Sequence, residues 1–330
     1  MEDSAVLPKP AVQLYTIDDT LAGQRLDHFL VRVCKTVPKS HIYRVIRSGE
    51  VRVNGKRAQC DSRLVDKDVV RVPPIWLLPS GIASAELVAG ATSPVKPRAF
   101  EVLLEDEFLL AINKPEGVAV HGGSGISSGV VEQIRAARPD LRYLELVHRI
   151  DKETSGVLLL AKKRSALVHL QKQFSSRTIA KHYRAILVGK VPKRTKTLDG
   201  SLLIRVLQDG QKQVSVNAAG LTAITRITGL AQIEHALAGT LSLVDAKIET
   251  GRTHQIRVHS ANQGWPILGD QKYGNFELNK LLSKTSVKRM FLHAFSIGFY
   301  HPEVLETVAR KIFISAPLPA TFTSLFPEVS

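Results

Sequence analysis

A stretch without periodicity divides the sequence and limits the folds open to it. Residues 73–100, PPIWLLPSGIASAELVAGATSPVKPRAF, alternate Pro, Gly, Ala and Ser and lack the regular apolar spacing of a helix or a strand, which is typical of a linker. We therefore place a domain boundary there. The predicted organisation is an N-terminal arm at residues 1–20, a small domain at 21–74, the linker at 75–99 and a larger domain at 100–330.

The small domain is predicted to contain two helices followed by a hairpin. Apolar residues within 26–33 recur at the spacing of one helix face. A second amphipathic helix follows Pro38 and is expected to end at Gly49. The segment VRVNGKR then alternates as a strand does and turns at Asn54-Gly55, a pair that favours tight hairpins.

This small domain is strongly basic. From Leu21 to Pro73 it has twelve Lys and Arg against five Asp and Glu, nearly half of the chain's net charge of +15. Clustered cations with an interleaved aromatic favour contact with RNA phosphates, although an ordinary solvated helix face is the alternative. The candidate RNA-binding residues, on the second helix and beyond the hairpin turn, are Lys39, Tyr43, Arg44, Arg47, Lys56 and Arg57.

The order helix, helix, hairpin around VPKSHIYRVIRSGEVRVNGKR resembles the S4-like RNA-binding domain over about fifty residues. That resemblance implies docking on structured RNA. The sequence pI near 9.9 also points to a polyanionic partner.

The larger domain is expected to be mixed α+β with a mostly antiparallel sheet. From Phe100 onward, short apolar strands are separated by fewer helices, which are predicted around residues 165–176 and 254–263. No run approaches the length of about 20 apolar residues that spans a membrane, and Cys34 and Cys60 have no disulfide-scaffold or zinc-site spacing. We expect a cytoplasmic protein, monomeric by default, without metal or cofactor.

Asp151 stands immediately before the most apolar strand of the sequence, in LELVHRIDKETSGVLLLAKK. A carboxylate there cannot remain charged and alone, because desolvation is costly unless a cation or hydrogen bonds compensate. Two interpretations stay open. Either Arg149 or another arginine neutralises a structural Asp151, or a buried cation keeps Asp151 ionised as a nucleophile.

A second dense stretch is ETGRTHQIRVHSANQGWPILGDQKYG. A helix predicted to start at Thr253, with Gly251 before it and arginines around it, is a candidate anion site for a phosphate or for a carboxylate such as Asp151. The alternative is a solvated basic helix face. The charged and polar residues that crowd around this helix start are Arg252, His254, Gln255, Arg257 and His259. The two histidines have no cysteine nearby, so we expect no metal site.

The stretch HRIDKETSGVLLLAKK resembles the catalytic signature of RluA-type pseudouridine synthases. Four further segments follow the order of that family: INKPEGVAVHGGSG, AKHYRAILVG, GRTHQIRVH with GWPILGDQKYG, and LHAFSIGFYHP. The resemblance covers roughly residues 100–315. With the S4-like unit upstream, nearly the whole chain resembles the bacterial large-subunit (23S) ribosomal RNA synthases of the C group.

The resemblance implies a cofactor-free isomerisation of uridine to pseudouridine in RNA, with large-subunit ribosomal RNA or its precursor as the partner. In this reaction the base leaves its ribose, turns, and is rejoined through carbon 5. By the same resemblance, Asp151 is the nucleophile, Arg257 its paired arginine, and Arg149 enters the space left by the flipped nucleotide. Tyr183 stacks on the base and assists proton removal. The remaining matches, which shape the loop or touch RNA, are Arg252, His254 and Gln255.

Two other functions are compatible with parts of the pattern. A non-catalytic RNA-binding ribosome-assembly factor would share the fold, but a degenerate relative is expected to lose Asp151 or Arg257, and both are present. A carboxylate-based RNA glycosidase would need a second acid opposite the first. Glu153 is near in sequence but lies in the predicted turn, so the isomerase interpretation is favoured.

Overall fold

The computed structural model describes residues 12–34, 37, 39–74, 96–122, 128–206, 212–284, 287–303 and 310–329, without the side chains of residues 39, 40, 206, 212 and 329. The chain divides into two compact units, whose boundary in the sequence falls between residues 94 and 95. Residues 75–95 of the predicted linker lie outside the described part. No described helix combines the length and the apolar character needed to cross a membrane.

The N-terminal unit has the predicted order of helix, helix and hairpin. Its elements are β1 (Gln13–Thr16), α1 (Leu26–Val33), α2 (Lys39–Ser48), β2 (Arg52–Val53), β3 (Lys56–Arg57) and β4 (Val69–Val72). The strands pair antiparallel in the order β1-β4-β2-β3. Asn54 and Gly55 both have positive φ, 51° and 75°, as a two-residue hairpin turn requires.

Strand β1 lies inside the segment predicted to be an N-terminal arm. Its residues pair with β4 from Gln13 opposite Val72 to Thr16 opposite Val69. Tyr15 packs edge-on against Phe29, with 5.6 Å between ring centroids. The segment has one aromatic and few apolar residues and is too short for its pattern to predict a strand. The strand is stabilised by its tertiary packing.

The predicted apolar faces of α1 and α2 meet in the core of this unit. Burying both stripes removes their apolar surface from water, at about 25 cal/mol per Å², and this fixes the two helices against the small sheet. The fully buried apolar residues of the two helices are Leu26, Phe29, Leu30, Ile42, Val45 and Ile46.

The C-terminal unit is built on one large sheet. Its strands are β5 (Glu101–Glu105), β6 (Leu109–Lys114), β7 (Glu145–Leu146), β8 (Ser155–Ala161), β9 (Ala180–Val188), β10 (Lys196–Leu198), β11 (Leu202–Val206), β12 (Lys212–Val216), β13 (Thr225–His235), β14 (Gly239–Ile248), β15 (Leu292–Tyr300) and β16 (Lys311–Ser315). Its helices are α3 (Val130–Ala137), α4 (Arg164–Ser175), α5 (Gln255–Asn262), α6 (Phe276–Leu282) and α7 (Ala320–Leu325).

The sheet order is β10-β13-β14-β9-β15-β8-β6-β5, with β16 beside β15 and β7 beside β8, while β11 and β12 form a separate hairpin. Among the described strands, only β15 and β8 pair parallel. The predicted mixed α+β class with a mostly antiparallel sheet is confirmed.

Three neighbouring strands bring distant parts of the sequence together. Ala294 on β15 is the register partner of Tyr183 on β9 and of Gly156 on β8. Adjacent strands are about 4.8 Å apart, so Tyr183 lies about 10 Å from the start of β8. A β-carbon at Gly156, whose φ is 110°, would collide with the carbonyl oxygen of Ala294. The tight approach therefore requires glycine at this position.

Candidate active site

Asp151 lies in the loop that leads into the fully buried strand β8. The ammonium group of Lys114, which is fully buried, supports this loop by donating to the carbonyl of Lys152 at 3.0 Å. The same ammonium group also donates to the carbonyls of Pro115 and Val118, at 2.8 and 2.9 Å. One buried side chain thus ties the residue after Asp151 to the end of β6.

Arg257 joins two carboxylates. Its Nη1 donates to Oδ2 of Asp151 at 3.1 Å, while Nε and Nη2 form a two-bond pair with Asp270 at 2.7 and 2.8 Å. The sequence predicted Arg257 as the arginine paired with Asp151. The geometry gives the two-bond pair to Asp270, and Asp151 receives one charge-assisted bond, which leaves part of its carboxylate available to a substrate.

Asp270 was not predicted from the sequence, and it fixes the direction of Arg257. It is buried and accepts backbone N–H bonds from Lys272 and Tyr273 at 2.8 and 3.1 Å. Burial alone would raise the pKa of Asp270, but the bonds and charge of Arg257 bring this pKa below its ordinary value. Burial likewise opposes the charge of Arg257, yet its acidic partners raise its pKa. Both groups therefore remain ionised in the cleft.

Tyr183 faces the same cleft from β9. Its ring packs against two apolar clusters of the unit. Burial and, secondarily, the negative charge of Asp151 raise the pKa of the phenol, so the hydroxyl keeps its proton at neutral pH. This environment favours the predicted stacking on a base and disfavours a resting phenolate as a proton acceptor.

The cleft gathers every candidate that the sequence placed in the large domain. Its cavity volume is about 80 Å³. Arg149 is exposed at its rim and Arg252 is half-buried there. The candidates that line it are Arg149, Asp151, Tyr183, Arg252, His254, Gln255 and Arg257.

Gln255 has a structural environment. It is 3% exposed, its Oε1 accepts from Thr250 and from the backbone of Arg252, and its Nε2 donates to Ile224 and Thr225. Because both polar atoms are satisfied within the protein, this placement argues against the direct RNA contact predicted for Gln255. Its bonds instead hold the turn that precedes α5.

His254 precedes α5 and has a left-handed backbone, with φ 53° and ψ 24°. The helix therefore begins at Gln255, two residues after the predicted start. The imidazole is the second nitrogen-bearing side chain beside Asp151, after Arg257. Its Nε2 lies 3.9 Å from Oδ2 of Asp151. Among the described residues, no group of three or more His, Cys, Asp or Glu is arranged to hold a metal ion.

The N-terminal candidates belong to the other compact unit. Arg44, Arg47 and Lys56 are exposed, as contact of these residues with RNA phosphates requires. Tyr43 donates to the buried Asp27 at 3.3 Å, so its ring but not its hydroxyl remains for RNA. The side chain of Lys39 lies outside the described residues.

Arg57 serves the unit's own structure as well as carrying exposed charge. Its guanidinium donates at 2.8 Å to the carbonyl of Ser48, the last residue of α2, and so satisfies a carbonyl that the helix end leaves open. A β-carbon at Gly49 would collide with this guanidinium. Glycine therefore allows Arg57 to close the helix end.

Comparison with family models gives two matches. Residues 108–262 match the RNA pseudouridylate synthase model, and residues 24–70 match the S4 domain model. The first match contains Asp151, Tyr183 and Arg257, and the second contains the basic helix α2.

Comparison with curated proteins gives close relatives over nearly the whole length. The chain is 46% identical to the ribosomal large subunit pseudouridine synthase C of Yersinia pestis, covering 94% of this chain and 93% of that protein. It is 44% identical to the protein of the same name from Pasteurella multocida, covering 93% and 91%. Among solved structures, human RNA pseudouridylate synthase domain containing 4 matches with TM-score 0.52 and 28% identity, covering 68% and 90%.

Proposed function

This chain belongs to the RNA pseudouridylate synthase family, and from this premise we propose that it isomerises specific uridines of large-subunit (23S) ribosomal RNA to pseudouridine. The resemblance seen in the sequence, to this family and to the S4 domain, is confirmed. The observation that carries the proposal is the contact of Asp151 with Arg257 at 3.1 Å in a cleft faced by Tyr183.

The reaction is an internal transfer. The bond from N1 of uracil to C1′ of ribose breaks, a bond from C5 to C1′ forms, the C5 proton is lost and N1 gains one. Asp151 is assigned as the nucleophile, attacking either the anomeric carbon or an unsaturated ring carbon. Arg257 donates one hydrogen bond to this carboxylate and cannot transfer a proton to it, since arginine does not release its proton.

The uridine must leave its stack before Asp151 can reach it. A base within folded RNA is inaccessible, and enzymes that act on a base extrude the nucleotide. Arg149, exposed at the rim, is assigned to the space that the nucleotide vacates. Tyr183 is assigned to stack on the extruded base, where its ring also excludes water during the turn of the detached uracil.

The S4 domain is assigned to RNA docking through its exposed cations. Arg44, Arg47 and Lys56 supply charge that tracks phosphates independently of sequence. We propose that the enzyme acts as a cytoplasmic monomer on ribosomal RNA or its precursor. A non-catalytic assembly factor would have no need of a carboxylate held by a buried arginine in a cleft, so catalysis is the favoured function.

Chemical labelling of pseudouridine tests the proposal. Ribosomal RNA from cells with and without the gene is labelled and mapped. We expect modified positions of large-subunit RNA to return to uridine in the deletion and to be restored by the wild-type gene. An identical map in both strains would contradict the proposed function.

A further inference from the structure

His254 links Asp151 to a tyrosine that has no assigned role. Its Nδ1 lies 2.8 Å from the hydroxyl of Tyr273, and its Nε2 lies 3.9 Å from Oδ2 of Asp151. The ring of Tyr273 also lies against the Arg257 guanidinium, 5.1 Å from the ring centroid to Cζ. One tyrosine thus contacts both side chains that approach the carboxylate.

The hydrogen bonds around Tyr273 favour one tautomer of the His254 imidazole. The Val214 backbone N–H donates to the Tyr273 oxygen at 3.3 Å, and a backbone amide can only donate. Burial raises the pKa of Tyr273, so the phenol keeps its proton and can donate it to Nδ1 of His254.

The imidazole itself is neutral at neutral pH. Burial lowers the pKa of His254 and outweighs the opposing attraction of Asp151. A neutral imidazole carries one N–H. With Nδ1 accepting from Tyr273, that N–H is on Nε2, the nitrogen that faces the carboxylate. The opposite tautomer would direct a lone pair at an anion, which is electrostatically unfavourable.

The nitrogens of Arg257 and His254 face the same carboxylate oxygen of Asp151. Arg257 Nη1 and His254 Nε2 approach Oδ2 of Asp151, at 3.1 and 3.9 Å. The second distance exceeds a hydrogen bond, and catalytic hydrogen bonds commonly tighten when substrate is bound. Oδ1 has neither of these contacts.

We propose, on the basis of the proposed function, that His254 is a positioning residue whose Nε2–H, fixed by Tyr273, holds Oδ2 of Asp151 so that Oδ1 is the oxygen that attacks the nucleoside. The backbone at His254 supports this role, because a left-handed conformation is uncommon outside glycine and is retained where the surroundings require it. The conformation directs the imidazole between Tyr273 and Asp151.

Nitrogen-15 NMR of protein labelled at histidine tests the tautomer directly. We expect wild-type His254 to carry its proton on Nε2, and Tyr273→Phe, which keeps the ring but loses the hydroxyl, to give a mixture of tautomers. Tyr300→Phe, the same change at an exposed site at the end of β15, should leave the His254 signals unchanged. A wild-type signal from Nδ1–H would overturn the proposal.

Kinetics of two matched variants test the positioning role. The side-chain amide of His254→Gln reaches the position of Nε2 and keeps a donor, whereas that of His254→Asn is too short. Glutamine and asparagine both have a side-chain amide that can donate a hydrogen bond, and asparagine tolerates a left-handed backbone. We expect kcat to fall about tenfold or more in His254→Asn and to be largely recovered in His254→Gln, with KM unchanged, as for loss of one hydrogen bond at the reacting group.

The outcomes separate this proposal from the proposed function. A rise in KM with unchanged kcat would make His254 an RNA contact and overturn the positioning role. Equal losses of kcat in both variants would overturn it as well. The tautomer is measured without RNA, so an enzyme that fails to form pseudouridine at all contradicts the proposed function and leaves the NMR result to decide the hydrogen-bond assignment.

Discussion

The Arg257 guanidinium gives two of its hydrogen bonds to Asp270 and one to Asp151. Asp270 thus acts as the fixed anchor, and Asp151 as the exchangeable partner. The anchor is 1% exposed, while the side chain of Asp151 is 25% exposed. This asymmetry allows the nucleophile to leave its arginine partly or wholly during the reaction without leaving a buried cation unpaired.

We predict that Asp270→Asn slows pseudouridine formation about 10- to 100-fold, since a charge-assisted hydrogen bond contributes about 1.5–3 kcal/mol. Arg257 would lose its fixed direction, and the free energy of unfolding should also fall. Single-turnover rates and urea unfolding measure the two effects. Asp140→Asn, which removes a surface partner of Arg138, is the control and should change neither by a comparable amount. A single-turnover rate equal to wild type would remove Asp270 from the site.

For Tyr183 we expect RNA affinity to depend on the ring and not on the hydroxyl. Tyr183→Phe should bind RNA as wild type does, whereas Tyr183→Ala should bind about 10- to 100-fold more weakly, because stacking on a base contributes about 1–3 kcal/mol. Fluorescence anisotropy with a short target RNA measures this difference. Equal affinity of the phenylalanine and alanine variants would argue against stacking.

The basic face of the S4 domain should show itself in the salt dependence of binding. Replacing Arg44 and Arg47 together by Gln is expected to weaken RNA binding and to reduce the slope of log affinity against log salt by about one to two, as for two lost phosphate contacts. Lys280→Gln with Lys284→Gln removes the same charge from exposed positions of the other unit. An unchanged slope in the arginine variant would count against RNA contact at this face.

Acid stability should depend on a half-buried histidine next to the active-site loop. His148 accepts the Leu159 backbone N–H at 3.1 Å through Nε2 and stacks on Phe174, and burial lowers its pKa to about 3. Between pH 6.5 and about 3 the unfolded chain binds a proton that the folded protein does not, so acidification destabilises the fold across this window.

The size of that effect is measurable. At pH 5 the folded protein is less stable by about 2 kcal/mol than at pH 8 because of His148 alone. This is because pH 5 lies about 1.5 units below the pKa of histidine in the unfolded chain, while the folded protein stays unprotonated at His148. His148→Gln keeps a side-chain acceptor and cannot titrate in this range. Its loss of unfolding free energy from pH 8 to pH 5, measured by urea denaturation, should be smaller than that of wild type. If wild type and His148→Gln lost the same unfolding free energy between pH 8 and pH 5, His148 would not determine stability at acid pH.

Local pattern was sufficient for several helices and turns but not for the site. The apolar stripes of α1 and α2, the turn at Asn54-Gly55 and the helix near residue 255 were read from spacing alone. The contact of Asp151 with Arg257 joins residues 106 positions apart, and no local periodicity encodes such a pairing. Its prediction depended on the resemblance to a known family.

Two features were missed for physical reasons. Asp270 stands in GDQKYG, where Gly, Asp and Lys read as ordinary turn residues, and its burial follows only from the packing of α5 and α6 around it. The parallel pairing of β15 with β8 depends on the close approach at Gly156. A glycine in a strand signals such an approach but does not identify the partner strand.

We assign the Asp151 carboxylate as the nucleophile, and single-turnover conversion of uridine by purified Asp151→Asn on unmodified large-subunit ribosomal RNA measures its role. Arg257 remains paired with Asp270 in this variant, so melting temperature and RNA affinity should stay close to wild type. We expect no pseudouridine product from Asp151→Asn under these conditions. Product formation at the wild-type rate would show that another group is the nucleophile.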